Sequence, residues 1–372
     1  MKKIYVFIIA IFGLVLLVSC SKKQESEKEY FNMWNDCQAL QDLEEYVKSV
    51  TDEKSNSFIP IEDRIATFDM DGTFVGELYP TYFEYNMLEY RVLEDPAYKD
   101  IAPSDVVETA TQIREFVREG KKLPDHFDMK HAYSAAKAYA GMTLKQFDDY
   151  VKAYASKEAN GFTGMTYGES FYVPMLEVFD YLGDHGFTCY VVSGSDRFIC
   201  RALVESIGID ANRVIGMDVV LKSNNQGEEE GVNYTYKVDD TLIRTDELII
   251  KNLKTNKVKQ IMQEVGKVPV LSFGNSGGDS AMHNFCLSNE KYRSEAFMLI
   301  ADDEAHDHAK LQKALDLKED WIASNYHVIS MRDDFKTIYG YDVEKTDFDF
   351  NAQSVKVEIN LTYFDNKDYV LA

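Results

Sequence analysis

Short apolar runs alternate with amphipathic segments along most of this chain. The first run covers residues 65–68, and comparable runs cover residues 187–192 and 268–273. Short continuous runs of apolar and β-branched residues are typical of strands that are buried on both faces. Two later runs, at residues 296–301 and 327–331, indicate further strands of the same kind. Because amphipathic segments separate the runs, the pattern predicts an α/β fold with a doubly wound parallel sheet.

Helix-end signals punctuate the amphipathic segments. Ser104 precedes an amphipathic run that Gly120 stops, which predicts a helix between them. Thr143 and Gln146 have the spacing of a capping box, and Pro174 opens another helix ahead of the second strand. The pattern therefore predicts a long helical block between the first and second strands, followed by a further helix that leads back into the sheet.

The order of these elements predicts how the chain is divided. A helix over residues 31–50 precedes the first strand, and the helical block between the first two strands has the character of an inserted cap. The predicted parts are a signal peptide over residues 1–19, a tether and N-terminal helix over 20–56, a core over 57–75 and 167–345, a helical cap over 76–166, and a C-terminal tail over 346–372.

Two further segments stand apart from the parallel pattern. Residues 217–221 and 231–238 predict a β-hairpin around the polar loop at residues 223–231, which we expect to act as a flap over the strand ends. The alternating residues 355–361 predict an added edge strand, to which we attach no function.

The N-terminus has the pattern of an export signal. Lys2 and Lys3 precede an apolar run over residues 4–18, which is shorter than the ~20 residues of a membrane-spanning helix. The alternative interpretation is a transmembrane anchor. The segment that ends at Cys20 resembles the lipobox at which bacterial lipoproteins are cleaved and acylated. This resemblance implies a lipid on Cys20 and, because Ser21 is not an aspartate, an outer-membrane anchor facing the periplasm.

The net charge of the chain limits the classes of partner that it can bind. The 372 residues include 40 basic and 63 acidic side chains, which gives a net charge of −23. Removal of residues 1–19 takes away two lysines and no acid, so the net charge becomes −25. A surface of that sign repels nucleic acid and anionic headgroups. We therefore expect no nucleic-acid partner.

Two carboxylates directly follow the first strand. Asp69 and Asp71 come after the run at residues 65–68, and Gly72 supplies the sharp exit that the chain needs there. In open α/β sheets, ligands bind at the carboxyl ends of the strands. The sequence Asp69-Met-Asp71-Gly-Thr73 resembles the first signature of the haloacid-dehalogenase-like (HAD) hydrolases. That family consists of Mg-dependent enzymes that mostly act as phosphatases through an aspartyl-phosphate intermediate.

Three further segments match the order of the motifs in that family. Ser193 and Gly194 follow the second strand, where they can bind a phosphate at a helix N-terminus. Lys257 opens the helix before the third strand, and Asp279 closes the turn after it. The helical cap is similar to that of the phosphoserine-phosphatase-like branch. Together with export, the motif set also resembles secreted phosphorylcholine phosphatases.

The chemistry of phosphate esters and the resemblance imply a role for each residue. Asp69 is the candidate nucleophile. Asp71 is the candidate general acid and then base, which requires a pKa above the ordinary ~3.9 of an aspartate. Ser193, Gly194 and Lys257 are expected to bind the phosphoryl group, and Lys257 also keeps Asp69 ionised.

The same resemblance implies a Mg²⁺ site built from oxygen ligands. The expected ligands are the Asp69 carboxylate, the main-chain carbonyl of Asp71, and Asp279, with Asn275 offering a carbonyl oxygen. The more common family pattern has an acid where Asn275 stands, so one negative charge is lost and weaker metal binding is possible.

The sequence leaves alternatives open. The function it favours is hydrolysis of a small phosphorylated metabolite in the cell envelope. The alternatives are a dehalogenase or phosphomutase, against which Asp71 and export argue, and a ligand-binding lipoprotein without turnover, which Asn275 favours. Aromatic residues at the start of the cap could surround a quaternary ammonium group, but their spacing favours a role in packing the core of the cap. These aromatic residues are Tyr79, Tyr82, Phe83, Tyr85 and Tyr90, and the alternatives to Lys257 are Lys251, Lys254 and Lys259.

Overall fold

The computed structural model of the protein describes residues 30–77 and 81–348. Its strands are β1 Ile65–Phe68, β2 Phe162–Thr163, β3 Thr188–Asp196, β4 Val214–Ser223, β5 Leu242–Ile250, β6 Leu271–Gly274, β7 Glu295–Ile300, β8 His327–Ser330 and β9 Glu344–Lys345. Its helices are α1 Gln38–Thr51, α2 Phe83–Leu93, α3 Ser104–Glu119, α4 Phe127–Ala138, α5 Leu144–Ala155, α6 Val173–Asp184, α7 Arg197–Val204, α8 Thr255–Glu264, α9 Ser280–Leu287, α10 Leu311–Ala323 and α11 Met331–Asp334. Short 3₁₀ helices cover Ile61–Asp63, Tyr167–Glu169, Glu205–Ile207 and Ala211–Arg213.

Seven of these strands form one sheet in the order β5-β4-β3-β1-β6-β7-β8. All neighbouring pairs are parallel except β4 and β5, which are antiparallel. The chain moves outward from β1 through β3 and β4, and then crosses to β6, β7 and β8 on the other side of β1. Because crossovers between parallel strands are right-handed in nearly all proteins, connections that run in both directions place helices on both faces of the sheet. The predicted α/β fold with a doubly wound, mostly parallel sheet is confirmed.

The central position of β1 explains its composition. All four of its residues are buried, and β3 and β6 flank the strand on either side. The Phe68 ring stacks on Phe179 of α6 at 4.1 Å and on Phe273 of β6 at 4.4 Å between ring centroids. This packing fixes the carboxyl end of β1 and therefore the position of the residues that follow it.

The predicted helix-end signals act where the sequence places them. α3 begins at Ser104, and Gly120 ends it in the left-handed conformation with φ of 67°. The Thr143 hydroxyl accepts a hydrogen bond from the Gln146 N–H, and the Gln146 side chain accepts one from the Thr143 N–H. Pro174 lies in the first turn of α6. These predictions are confirmed.

Helices α2 to α5 occupy the segment between β1 and β3 that the sequence predicts to be helical. The same segment contains β2, which the sequence pattern does not predict. β2 pairs antiparallel with β9, so that Phe162 lies opposite Lys345. The end of the helical block is therefore bonded to the far end of the described chain.

The predicted strand over residues 231–238 is wrong, because β4 pairs with β5 and the residues between them form a loop. The Asp240 carboxylate accepts hydrogen bonds from Asn225 Nδ2 at 2.6 Å and from the Tyr234 hydroxyl at 2.8 Å. It also accepts one from the Lys237 N–H at 2.9 Å. These bonds to a side chain replace the ladder that a strand would need.

The hairpin of β4 and β5 is also bonded to the helical block. The Arg244 N–H donates to the Met142 carbonyl at 2.9 Å, and the Arg244 carbonyl accepts from the Gly141 N–H at 2.8 Å. The Arg244 guanidinium is buried, where it pairs with Asp196 and lies 3.9 Å from the centroid of the Phe147 ring. The hairpin therefore joins the main sheet to the helical block.

The N-terminal helix is shorter than predicted, since α1 begins at Gln38 rather than at residue 31. Trp34 forms an isolated antiparallel bridge with Phe335. Its indole N–H donates to the Pro174 carbonyl at 2.8 Å. These contacts hold the chain before α1 in a non-helical conformation.

Across residues 30–77 and 81–348, no helix combines the length and the apolar character that crossing a membrane would require. The predicted signal peptide, Cys20 with its predicted lipid, Tyr79 and the predicted strand at residues 355–361 all lie outside the described residues.

Candidate active site

Asp69 immediately follows β1 and lies at the carboxyl end of the sheet. Its N–H donates to the Phe273 carbonyl of β6 at 2.9 Å, which continues the pairing of the two strands. Its Oδ1 accepts a hydrogen bond from Lys257 Nζ at 2.6 Å. Asp69 is 8% exposed, so its carboxylate is largely removed from water but still lines the cavity described below.

Lys257 lies in the first turn of α8 and joins two carboxylates. Its Nζ donates to Asp69 Oδ1 at 2.6 Å and to Asp279 Oδ1 at 2.7 Å. Burial acts to lower the pKa of Lys257, but the charges of the two aspartates outweigh it and raise the pKa well above its usual range. Of the four lysines that the sequence left open, Lys257 is the one that the structure places between these aspartates.

Asp279 is fixed through both of its oxygens. Oδ1 accepts from Lys257, and Oδ2 accepts from the N–H groups of Asn275 and Ser276 and from the Ser276 hydroxyl. Gly274 permits this approach, because an added Cβ there would lie 2.6 Å from the Asp279 Cβ. Burial acts to raise the pKa of Asp279, but Lys257 outweighs it and holds the pKa below its ordinary value. Asp279 therefore stays ionised.

Asp71 lies in the turn after Asp69 and is bonded to the end of β3. Its Oδ2 accepts a hydrogen bond from the Ser195 hydroxyl at 2.7 Å, and the Ser193 hydroxyl lies 3.5 Å from the same oxygen. Burial raises the pKa of Asp71 to about 6, with the Ser195 hydrogen bond acting against the rise and the charge of Glu84 adding to it. A carboxyl group with that pKa can carry a proton near neutrality, as a general acid must.

The two serines at the end of β3 have different positions. The Ser193 side chain is buried, and its hydroxyl accepts from the Ser195 N–H at 3.0 Å. The Ser193 carbonyl accepts from Asn252 Nδ2 at 2.9 Å. Gly194 and Ser195 line the cavity, and Ser193 lies behind them. Ser195 is thus a site residue that the sequence analysis missed, because β3 continues past Ser193.

Asn275 contacts an acid that the sequence analysis also missed. Its Nδ2 donates to Glu77 Oε1 at 3.0 Å. Both residues line the cavity together with Asp69 and Asp279. Gly72 makes room for the contact, because its φ is +77° and an added Cβ would lie only 1.9 Å from Asn275 Nδ2.

These groups share a cavity of about 250 Å³. Six carboxyl side chains and three lysines line it, which gives its wall a formal charge of −3. The carboxyl residues are Asp69, Asp71, Glu77, Glu84, Asp128 and Asp279, and the lysines are Lys251, Lys254 and Lys257. Tyr82 and Tyr85 lie in the same wall, and the Tyr85 hydroxyl donates to Asp128 Oδ1 at 3.0 Å. Phe83, Tyr85 and Tyr90 are buried in the helical block, as their spacing predicts, but the prediction is wrong for Tyr82, which is 39% exposed.

A buried ion pair joins the helical block to the core at the cavity wall. Lys251 Nζ donates to Glu84 Oε1 at 2.9 Å, and the Asp196 N–H donates to Glu84 Oε2 at 3.3 Å. His131 Nδ1 lies 3.6 Å from Glu84 Oε1, and burial lowers the pKa of His131 to about 4, so the ring is neutral at pH 7. Glu84 and Lys251 are 167 positions apart, so the sequence around either residue does not predict their contact. The one local sign is that Glu84, an acid, lies between two aromatic residues.

The residues present fit a hard divalent cation. The described part of the chain contains no group of three or more His, Cys, Asp or Glu side chains that could hold a metal ion by themselves. Two carboxylates, Asp69 and Asp279, do converge. Burial and then the negative charge of Asp279 raise the pKa of Asp69, against the opposing charge of Lys257. The site thus has more negative charge than one lysine neutralises, and Mg²⁺ with its preference for oxygen ligands would relieve that excess.

Comparisons with known proteins give likenesses in structure alone. No family model matches the chain, and no curated protein matches it at a significant level. A Bordetella pertussis protein of unknown function is 13% identical with a TM-score of 0.45, over 72% of this chain and 97% of its own. An Anaerococcus prevotii protein of unknown function is 14% identical with a TM-score of 0.48, over 82% and 94%. A phosphoserine phosphohydrolase-like protein from Francisella tularensis is 14% identical with a TM-score of 0.38, over 72% and 94%. At these values the likenesses carry no argument about the reaction, which has to be argued from the site.

Proposed function

We propose that this protein is a Mg²⁺-dependent phosphatase that hydrolyses a small phosphate monoester through an aspartyl-phosphate intermediate in the cell envelope. The observation that carries the proposal is the contact of Lys257 Nζ with both Asp69 and Asp279 beside Asp71. A nucleophile, a proton donor, a fixed cation and hydrogen-bond donors thereby share one cavity at the carboxyl end of the sheet, which is the combination that phosphoryl transfer requires.

Asp69 is the nucleophile in this proposal. One of its carboxylate oxygens attacks phosphorus in line with the ester oxygen, the bond from phosphorus to that oxygen breaks, and an acyl phosphate forms on Asp69. Lys257 favours the ionised form of Asp69 and places positive charge beside the phosphoryl oxygens. Gly194 and Ser195 line the same cavity wall. We assign the Gly194 N–H as the donor to those oxygens, because the Ser195 N–H and hydroxyl already donate to Ser193 Oγ and to Asp71 Oδ2.

Asp71 transfers a proton in both steps, the formation and the hydrolysis of the acyl phosphate. It protonates the leaving oxygen as the ester bond breaks, and the resulting carboxylate then accepts a proton from the water that attacks the acyl phosphate. The second step releases inorganic phosphate and restores Asp69. The pKa of about 6 that burial gives Asp71 suits both roles near neutral pH.

Mg²⁺, when bound, supplies the positive charge that a phosphate dianion needs in a cavity whose wall has a formal charge of −3. The Asp69 carboxylate, the main-chain carbonyl of Asp71, Asp279 and Asn275 would hold it. Asp279 also positions Lys257, and the donors on its Oδ2 keep it oriented.

The size of the cavity supports a small substrate. Its volume of about 250 Å³ lies below the roughly 300–1,000 Å³ of sites for drug-sized ligands. A small phosphorylated metabolite is therefore the substrate class that we propose. The location in the cell envelope, by a lipid on Cys20 in the outer membrane, rests on the sequence pattern of the N-terminus.

A ligand-binding protein without turnover is the second candidate. Two observations favour it: Asn275 has no charge, and both oxygens of Asp279 already accept hydrogen bonds. The intact Asp69 and Asp71 favour the enzyme.

Release of phosphate from a panel of small phosphate esters tests the proposal. We expect release in the presence of Mg²⁺, none in EDTA, and recovery when Mg²⁺ is added back. Asp69→Asn should be inactive under all three conditions. Bound metal without hydrolysis of any ester in a broad panel would overturn the enzymatic proposal and favour the binding protein.

A further inference from the structure

Glu77 differs from the carboxylates beside it in the cavity. Asp69 and Asp279 share the ammonium of Lys257. In the part of the chain that the structure describes, Glu77 forms no ion pair, and its carboxylate accepts one hydrogen bond, from the neutral side-chain amide of Asn275. Lys313 and Lys310 act on the charge of Glu77 only from beyond ion-pair distance, so among the described residues no cation contacts this carboxylate.

The contact between Glu77 and Asn275 fixes which oxygens remain for a ligand. A carboxylate only accepts hydrogen bonds, so Asn275 must present its amide N–H₂ to Glu77 Oε1. The Asn275 Oδ1 and the Glu77 Oε2 take no part in this bond. The pair therefore offers one charged and one neutral oxygen, the donor types that Mg²⁺ and Mn²⁺ prefer.

The pair lies against the turn that follows the catalytic aspartates. A Cβ added to Gly72 would lie 1.9 Å from Asn275 Nδ2 and 2.9 Å from Glu77 Cγ. A residue with a side chain would thus displace both members of the pair. Because Gly72 directly follows Asp71, the pair is next to the main-chain carbonyl that would hold the cation.

We propose that Glu77 and Asn275 form a further oxygen-donor pair of the cation site, in which Glu77 supplies the negative charge that Asn275 lacks. The proposal rests on the proposed Mg²⁺ dependence of the site. Glu77 acts on the bound cation or on one of its waters, and the hydrogen bond from Asn275 orients it. Loss of a carboxylate that acts in this way typically weakens metal affinity by about 10–100-fold.

Calorimetric titration of Mg²⁺ alone into the purified full chain, without substrate, tests this proposal. Glu77→Gln keeps the acceptor for Asn275 and removes the charge, so Mg²⁺ affinity should fall roughly tenfold or more. Adding Asn275→Asp to the Glu77→Gln protein returns one charge to the pair and should recover most of the lost affinity. Thermal unfolding in EDTA verifies that each variant is folded.

Asp128→Asn is the matched control, because it removes one charge from the same cavity wall at a carboxylate that the Tyr85 hydroxyl binds. Its Mg²⁺ affinity should stay close to that of the unaltered protein. Unchanged affinity in Glu77→Gln, an equal loss in Asp128→Asn, or no recovery in the double variant would overturn the proposal. Phosphate release is measured separately, so a protein that binds Mg²⁺ in this pattern without hydrolysing esters contradicts the proposed function alone.

Discussion

The Ser195 hydroxyl donates a 2.7 Å hydrogen bond to Asp71 Oδ2. This bond attaches Asp71, the proposed proton donor, to the end of β3, whereas Asp69, the proposed nucleophile, is attached through Lys257 to α8. Two neighbouring aspartates therefore have separate supports. A variant that disturbs one support should leave the other aspartate in place.

Ser195→Ala should slow the cleavage of esters whose leaving oxygen needs a proton. It should have less effect on esters whose leaving oxygen does not. We expect kcat for alkyl phosphates to fall about tenfold with little change in KM, because Asp71 loses its fixed orientation. An aryl phosphate, whose leaving oxygen needs little protonation, should lose less. Steady-state kinetics on both substrates measures this. Ser288→Ala is the control, since it removes an exposed hydroxyl that donates to the Phe285 carbonyl. Equal losses on both substrates would contradict the separate roles.

Lys257→Met should destabilise the protein as well as inactivate it. The variant leaves two buried carboxylates without their shared counter-ion, which costs about 3–5 kcal/mol when one partner of a buried pair is removed. Urea unfolding in EDTA measures the change. Lys259→Met, at an exposed position two residues further along α8, should have little effect. Equal stabilities of the two variants would show that Lys257 does not neutralise this site.

His327 should make stability depend on pH away from the active site. Its Nε2 lies 2.6 Å from Glu295 Oε2 and its Nδ1 lies 2.8 Å from Asp42 Oδ2. The hydrogen bond to Glu295 raises the pKa of His327, and burial lowers it. The negative charges of Glu295 and Asp42 raise it further, so the pKa lies above its ordinary value. A raised pKa contributes stability that is fully present below the unfolded pKa of ~6.5 and is lost as pH rises through the folded pKa.

His327→Gln should therefore lower the free energy of unfolding by ~1 kcal/mol at pH 5.5 and by less at pH 9, a size typical of partly exposed ion pairs. Urea unfolding of both proteins at the two pH values measures the difference. His126→Gln, at an exposed histidine, is the control. A loss that is the same at both pH values, or larger at pH 9, would contradict the sign of the pKa shift.

The elements that sequence patterns predict well are those with local signals. β1 is predicted as a strand because its residues form a short apolar and β-branched run, and the structure buries all four of them. The ends of α3 and α5 are set by residues within one turn of each end. Asp69 and Asp71 are found for the same reason, since they directly follow a buried strand.

The parts of the fold and of the site that sequence patterns do not predict depend on contacts between residues far apart in the chain. Residues 231–238 alternate like a strand, yet Val232 and Val238 are exposed, because Asp240 organises that segment as a loop. β5 pairs with β4 although its own residues are mostly not buried. Glu77 meets Asn275 from 198 positions away, so neither sequence neighbourhood indicates the pair. Ser195 enters the site because β3 runs to Asp196.

The measurement that tests the central claim most directly is the identification of the phosphorylated residue. In the proposed mechanism, Asp71→Asn keeps the nucleophile and the main-chain carbonyl but lacks the proton donor and the later base, steps worth about 10²–10⁴-fold each. Mixed with an aryl phosphate and Mg²⁺ and then quenched in acid, this variant should retain phosphate on the peptide that contains Asp69. The matched protein with Asp69→Asn should retain none. Phosphate on Ser193 or on a histidine, or phosphate release by Asp69→Asn at the rate of the unaltered protein, would contradict the account.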